Sequence, residues 1–260
     1  MTDLYTYLWT NAAAFSLVLV RVSTLFFFLP IFGVITPFPI KAGICLVLTL
    51  IFTPLVVGRV SMPTDIWNFF LLLVPEALLG MSMGLLVRII FAGVQLGGQL
   101  LGFQMGFGVA EVIDPVTGAQ APVLSQMAYL ITLLLFLVLN IHHYFLLALG
   151  EGFRLLPPGL LKLSPSFFLE LARQGEILFR LSLRILAPVL AILLLLQIAF
   201  GIICRFVPQI NIMIVSFPLT IGVGLFFFGL TLELLGKVLN PAFGRAVEQL
   251  PYVLKAFGGG

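Results

Sequence analysis

Long apolar runs separated by short polar breaks make up this chain. The first run covers Ala12 to Leu29, carries Arg21 within it and stops at Pro30. After a break holding Gly33, Pro37 and Pro39, a second run covers Ile40 to Val57 and is kinked or stopped near Pro54. A polar loop from Gly58 to Asn68 precedes the third run, Phe69 to Phe91, which contains Pro75-Glu76 and Arg88. The fourth run is Met127 to Leu149, with His142 and His143 near its end. The fifth, Ile177 to Ile203, holds Arg180, Arg184 and Pro188, and the sixth, Ile212 to Leu235, is interrupted at Phe217-Pro218. A spanning helix needs about 20 apolar residues, so the pattern predicts about six membrane segments in an all-α protein. The runs do not alternate in polarity, which argues against an outer-membrane barrel.

Two shorter regions read differently. Gly150 to Glu176 is the one extended polar region. Its Leu-Pro-Pro-Gly turn at 156–159 is followed by Ser164-Pro165, a serine cap with proline at the first helical position. Ser166 to Arg173 is then expected to form an amphipathic, interfacial helix. The tail from Gly236 to Lys255 reads as a surface helix beginning at Asn240-Pro241.

The stretch from Gly93 to Gln126, GVQLGGQLLGFQMGFGVAEVIDPVTGAQAPVLSQ, has a pattern of its own. Gly93 and Gly97, then Gly98, Gly102 and Gly106, recur at four-residue spacing, so another backbone can approach one helix face closely. The residue before a proline is pushed out of helical geometry, so this helix is expected to end near Asp114, before Pro115. A polar, turn-rich loop follows through Gly118 and Pro122. In so apolar a chain, irregular backbone is tolerated where it is buried in protein or lines a water-filled cavity.

Composition narrows the class further. Of 260 residues, 61% are hydrophobic and 9% charged, against about 25% charged in soluble domains. The net charge of +3 is ordinary for a membrane protein and gives no sign of nucleic-acid binding. Cys45 and Cys204 lie in apolar segments and read as buried free thiols rather than a disulfide framework. The segment MTDLYTYLW has neither a basic n-region nor a cleavage site, so no removable signal peptide is expected. In a six-span arrangement, Arg59, Arg154, Lys162, Arg173, Lys237, Arg245 and Lys255 fall on the side of both termini, and Lys41, Arg88 and Arg205 fall opposite. The positive-inside rule then puts both termini in the cytoplasm.

Charges inside apolar runs are the first functional candidates. They are Arg21, Glu76, Arg88, Arg180, Arg184 and Glu233. The simpler account is pairing across helices or reaching to the interface. Glu176, Arg180 and Arg184 share a helix face at four-residue spacing, and Glu233 precedes Lys237 by the same step. His142 and His143 point about 100° apart on a helix and cannot hold one metal as a pair spaced by four would. No Ser-His-Asp or HExxH arrangement and no phosphate-binding fingerprint is present, so no catalytic residue, cofactor or metal is expected. The runs Phe26-Phe27-Phe28 and Phe226-Phe227-Phe228 read as lipid-facing or inter-subunit packing.

The segment GFQMGFGVAEVIDPVTGAQAPVLSQ, Gly102 to Gln126, resembles the central signature of FliR-type subunits of the flagellar and type III secretion protein export gate. Arg21-x-Ser23 with Leu29-Pro30, the Leu-Pro-Pro-Gly turn and VPQINIMIVSFPLTIGVGL, from Val207 to Leu225, extend the resemblance over almost the whole chain. It implies a non-enzymatic subunit of a helical, conical channel that admits unfolded substrates across the bacterial inner membrane. Its partners would be P-type and Q-type gate subunits, with the B-type and A-type export apparatus proteins and membrane lipid nearby. Residues 1–175 would correspond to a P-type region and 176–260 to a Q-type hairpin and tail. The family's kinked helices build a cone raised towards the periplasmic face of the flagellar base. The loop after the glycine-rich helix plugs the closed channel. Here it corresponds to about 106–122, with Gly106, Phe107, Gly108, Val109, Ala110, Glu111, Val112, Ile113, Asp114 and Pro115 at its heart. Relatives carry aromatic residues where this chain has Val109 and Val112. The rival readings are a broken-helix transporter, which would show internal repeats, and an intramembrane enzyme using Glu76, Asp114 or the histidines.

Overall fold

The computed structural model describes residues 2–32, 36–60, 66–107, 123–159, 165–206, 209 and 212–258. These fold as α1 (Thr2–Phe28), a 3-10 turn (Pro30–Phe32), α2 (Phe38–Val56), α3 (Ile66–Gln104), α4 (Val123–Val138), α5 (Ile141–Leu155), α6 (Pro165–Phe206) and α7 (Ile212–Phe257). There is no strand among the described residues. Five of these helices are long and apolar enough to cross a membrane, or six spans result if α4 and α5 together make one. The chain is therefore an all-helical integral membrane protein.

Several expected breaks do not break the helices. Pro54, Pro75 and Pro188 lie inside α2, α3 and α6, and Pro218 and Pro241 lie inside α7. A proline removes one hydrogen bond and bends the rod. In apolar surroundings, abandoning the remaining backbone bonds would cost far more. For the same reason 166–173 is not a separate interfacial helix: α6 runs from Pro165 without interruption. Nor does Asn240-Pro241 begin a new tail helix, because α7 continues through it to Phe257.

Several of the breaks that do occur fall where the backbone turns left-handed. The fourth run is divided at Asn140, whose φ of 55° separates α4 from α5. α2 is followed by Gly58 at φ 86°. α3 ends at Gln104, well short of Asp114, because Gly106 adopts φ 91°. Such a φ is open to glycine and strained for other residues, which makes glycine the usual helix stop. Asp114 itself lies outside the described residues.

The chain packs as two compact units, each assembled from separate segments. The first comprises Met1–Ile89, Phe136–Gly175 and Phe243–Gly260. Within it α1 packs on α2 and α2 on α5. Gly80 and Gly84 of α3 bring its backbone against α1, where a Cβ at Gly80 would lie 2.4 Å from Arg21 O. Leu17, Leu25, Leu79, Phe145 and Phe153 are fully buried here, and Phe136 meets Phe243 with ring centres 5.6 Å apart. The second unit comprises Ile90–Leu135 and Glu176–Ala242. Its core includes Val94, Leu101, Met105, Leu186, Val189 and Leu193.

Candidate functional site: the root of the central loop

Within the second unit, the end of α3 is seated on α7. Met105 is fully buried and continues the helical bonding, its N–H donating to Leu101 O at 2.9 Å. Its side chain fills the place where Gly224 lacks a Cβ: an added carbon would lie 2.7–2.8 Å from Met105 Cγ, Cε and Sδ. The next residue, Gly106, leaves the helix in the left-handed region and rests on Phe217, whose ring carbons would stand 2.6 Å from a Cβ. Thr220 Oγ1 lies 3.4 Å from Met105 O, but Ser216 O at 2.9 Å is the better acceptor for its single hydroxyl proton. Gln197 Nε2 on α6 donates to Gln104 Oε1 at 2.8 Å. An open cavity of about 300 Å³ beside this turn is lined by Gln104, Gly106, Gln197, Phe200, Cys204 and Phe217 among others. Phe107 is 40% exposed.

The far side of the loop returns to the same helix. Ser125, near the start of α4, donates from Oγ to Gln95 O at 3.0 Å. A Cβ on Gly98 would meet Ser125 Cα at 2.5 Å and N at 2.8 Å, so the two backbones are in direct contact. Phe91 and Tyr129 stack edge to face at 5.4 Å, which makes the second half of α3 and the first half of α4 antiparallel neighbours. A second glycine face of α3 meets α6. At Gly93 a Cβ would stand 2.9 Å from Leu178 O, whereas at Gly97 the nearest atom is Leu186 Cγ at 3.5 Å. Gly102 is buried. Among the sequence candidates for the loop, Gly106 and Phe107 are placed. Gly108, Val109, Ala110, Glu111, Val112, Ile113, Asp114 and Pro115 lie outside the described residues.

The intramembrane charges separate into two kinds. Arg21 and Glu76 form a fully buried ion pair in the first unit. Arg21 also donates from Nη1 and Nη2 to Leu156 O at 3.3 Å and lies 4.5 Å over the Phe153 ring. Glu76 Oε1 accepts from Gly159 N–H at 3.1 Å. This network ties α1 and α3 to both ends of the Leu-Pro-Pro-Gly turn. Arg180 pairs with Glu176, and Lys237 with Glu233 at 2.7 Å, one helical turn apart and largely exposed. Arg88 and Arg184 are exposed. The rings of His142 and His143 lie 4.2 Å apart, and no group of three His, Cys, Asp or Glu among the described residues is arranged to hold a metal.

Sequence reasoning did not find Gly224, Phe217 or Gln197 as partners of the loop root. The segment Val207 to Leu225 stood out by resemblance, but nothing in its spacing indicates which α7 face meets Met105. The sequence-level signal is a glycine two helical turns beyond an aromatic residue.

The family described as Bacterial export proteins, family 1, matches residues 12–246. The chain belongs to this family. It is 33% identical over 251 residues to the flagellar biosynthetic protein FliR of Bacillus subtilis (strain 168), covering 94% of this chain and 96% of that protein. It is 30% identical to FliR of Escherichia coli (strain K12), covering 84% and 83%, and 28% identical to FliR of Aquifex aeolicus (strain VF5), covering 73% of each. The resemblance read from Gly102–Gln126 and Val207–Leu225 thus holds over most of the chain, which is a FliR-type export protein.

Proposed function

We propose that this FliR-type chain is a non-enzymatic subunit of the flagellar type III protein export gate in the bacterial inner membrane. It assembles with P-type and Q-type subunits, beside the B-type and A-type proteins, into the entry channel for unfolded substrates. Residues 1–175 act as the P-type part and 176–260 as the Q-type hairpin and tail. The segment 106–122 is the barrier that closes the channel.

The observation that carries this reading is the rooting of the central loop. It leaves α3 at Gly106 against Phe217 and returns at Ser125 against Gly98, so both ends are held by packed helices of one unit. The proposed barrier is the segment between these two held ends. Phe107, Val109, Val112 and Ile113 would give it an apolar surface able to seal by shape, without strong directional bonds. Helix length also supports an assembly that does more than cross the bilayer. The apolar stretches of α3, α6 and α7 cover 38, 33 and 41 residues, about 50–60 Å at 1.5 Å per residue. Fitting straight rods of that length into a core about 30 Å thick needs more tilt than the usual range of about 0–40°. Their apolar surface, with Phe179, Leu195, Phe206 and Phe226 exposed, therefore calls for protein partners as well as lipid.

Deleting Val109 to Gly118 while keeping the flanking helices tests the reading. The assembled complex should form in normal yield and, reconstituted in vesicles, should pass ions and small solutes. An assembled deletion complex as tight as the unaltered one would place the barrier elsewhere.

A further inference from the structure

The outer face of α2 is bare, and we propose that it is a lipid-facing surface of this chain, covered by phospholipid acyl chains and not by another protein subunit. This rests on the chain's being an integral membrane protein. It does not depend on the reading of 106–122 as the barrier, so either can fail alone.

The length of α2 fits the bilayer. Its 19 residues rise about 28 Å at 1.5 Å each, against a hydrocarbon core about 30 Å thick. Lys41 lies in its first turn, and Arg59 follows just past its end. Long cationic side chains at helix ends reach the headgroups while their stems stay in the apolar layer. Soon after Arg59, α3 opens with Trp67 exposed, and tryptophan is enriched at membrane–water interfaces. Among the candidate spans of the described residues, α2 is also the least covered: 11% of it is buried, against 22–44% of the other four.

The residues on the bare face favour lipid over protein. α2 packs on α1 and α5, with Thr49 and Val56 buried. On the opposite side Leu46, Val47, Leu50, Ile51 and Leu55 are exposed, and their spacing of three and four makes them one stripe. The stripe carries no polar side chain. The threonine hydroxyls of the helix turn back on its own backbone, Thr49 Oγ1 donating to Cys45 O and Thr53 Oγ1 to Thr49 O, each at 2.7 Å. Neither proton is left for a neighbouring helix to satisfy.

Helices in a membrane gain little by burying leucine against leucine, because lipid tails are equally apolar. They associate through close backbone approach or polar bonds. The helices of this chain do so: Gly80 and Gly84 set α3 against α1 so closely that an added Cβ would overlap it. The outer face of α2 has neither device. Its side chains are bulky, and its one glycine, Gly43, has nothing within 4 Å of an added Cβ. α2 thereby sets the depth of the chain, with the apolar stretch between Lys41 and Arg59 matched to the hydrocarbon layer.

The test uses the full chain, co-expressed and purified with the rest of its export apparatus. Photoreactive p-benzoylphenylalanine replaces Leu50 on the stripe or, for comparison, the fully buried Phe145 of α5. The complexes are reconstituted in phosphatidylethanolamine–phosphatidylglycerol vesicles holding radiolabelled phospholipid, and irradiated. Position 50 should attach phospholipid to the chain several-fold more than position 145, with no second protein joined to it. Leu50→Trp and Gly43→Leu should leave the yield of complex unchanged, because fluid lipid gives way to a larger side chain. Gly80→Leu should lower that yield several-fold by forcing α3 off α1. A cross-link from position 50 chiefly to another protein, or phospholipid labelling no higher than from position 145, would overturn the proposal. So would a position-50 probe that blocks assembly, or a loss of complex from Leu50→Trp or Gly43→Leu as large as from Gly80→Leu, since either would mean a packed protein contact on the stripe.

Discussion

Arg21 donates from Nε to Glu76 Oε2 at 2.6 Å, and neither side chain has any exposed surface. The two charges lie 55 positions apart, one in α1 and one in α3. Each has further partners in the Leu-Pro-Pro-Gly turn, so each nitrogen of the guanidinium and both carboxylate oxygens make at least one hydrogen bond. Removing one member of a buried pair strands the other charge, which typically costs about 3–5 kcal/mol, whereas replacing both with apolar residues is often near neutral. Arg21→Met and Glu76→Leu should therefore each abolish or greatly lower the yield of folded protein, and the double variant should recover much of it. Yield and thermal midpoint in mild detergent measure this. A double variant worse than both single ones would show that the pair holds the turn by its charges and cannot be replaced by packing.

Two neighbouring glycines of α3 should respond in opposite ways. A Cβ on Gly98 would intrude to 2.5 Å on the backbone of Ser125, which cannot rotate away, while on Gly97 it would rest at 3.5 Å from a leucine side chain. Gly98→Ala should destabilise by about 1–3 kcal/mol, the usual range for overpacking. Gly97→Ala should be neutral or stabilising by up to about 1 kcal/mol, the helix propensity gained over glycine. Thermal unfolding of the two single variants checks the contrast, and equal effects would remove the close backbone contact as the reason for glycine at 98.

Asn140 holds the break between α4 and α5 at φ 55°, without a side-chain capping hydrogen bond. Its contribution is therefore conformational. Asn140→Gly should change stability by less than about 1 kcal/mol, since glycine takes the same φ at the cost of a more flexible unfolded chain. Asn140→Val should lower it by about 1–2 kcal/mol or more, because a β-branched residue resists the left-handed region. The measurement is again the thermal midpoint. A valine variant as stable as the unaltered protein would mean that the break relaxes into one continuous helix.

The hydrophobic runs foretold the helices well, and the turns less so. Runs one, two, three, five and six each became a helix long enough to span, because hydropathy is a property of each segment and its solvent. The expected stops at Pro54, Pro218 and Asn240-Pro241 were passed over, since helix on both sides of a proline retains nearly all its bonds. The expected stop at Pro30 did end α1, whereas the stops at Gly106 and Asn140 depend on a φ that composition permits without requiring. Of the exposed pairs, Glu176–Arg180 and Glu233–Lys237 were legible because their spacing alone makes them neighbours.

By itself the sequence determined the class of protein, the family, the helical segments and the faces of α3 on which backbones could meet. These follow from local quantities: apolar length, residue volume and the geometry of one helix. Only the tertiary structure decided which residues meet. Arg21 found Glu76 and the turn at Leu156–Gly159, Gly98 found Ser125, and Met105 found the one α7 glycine that leaves room for it. Such pairings depend on the joint shape and charge of segments as far as 135 positions apart. Many arrangements of the same amphipathic and glycine-lined faces satisfy hydropathy equally, and close packing with every buried charge satisfied selects among them.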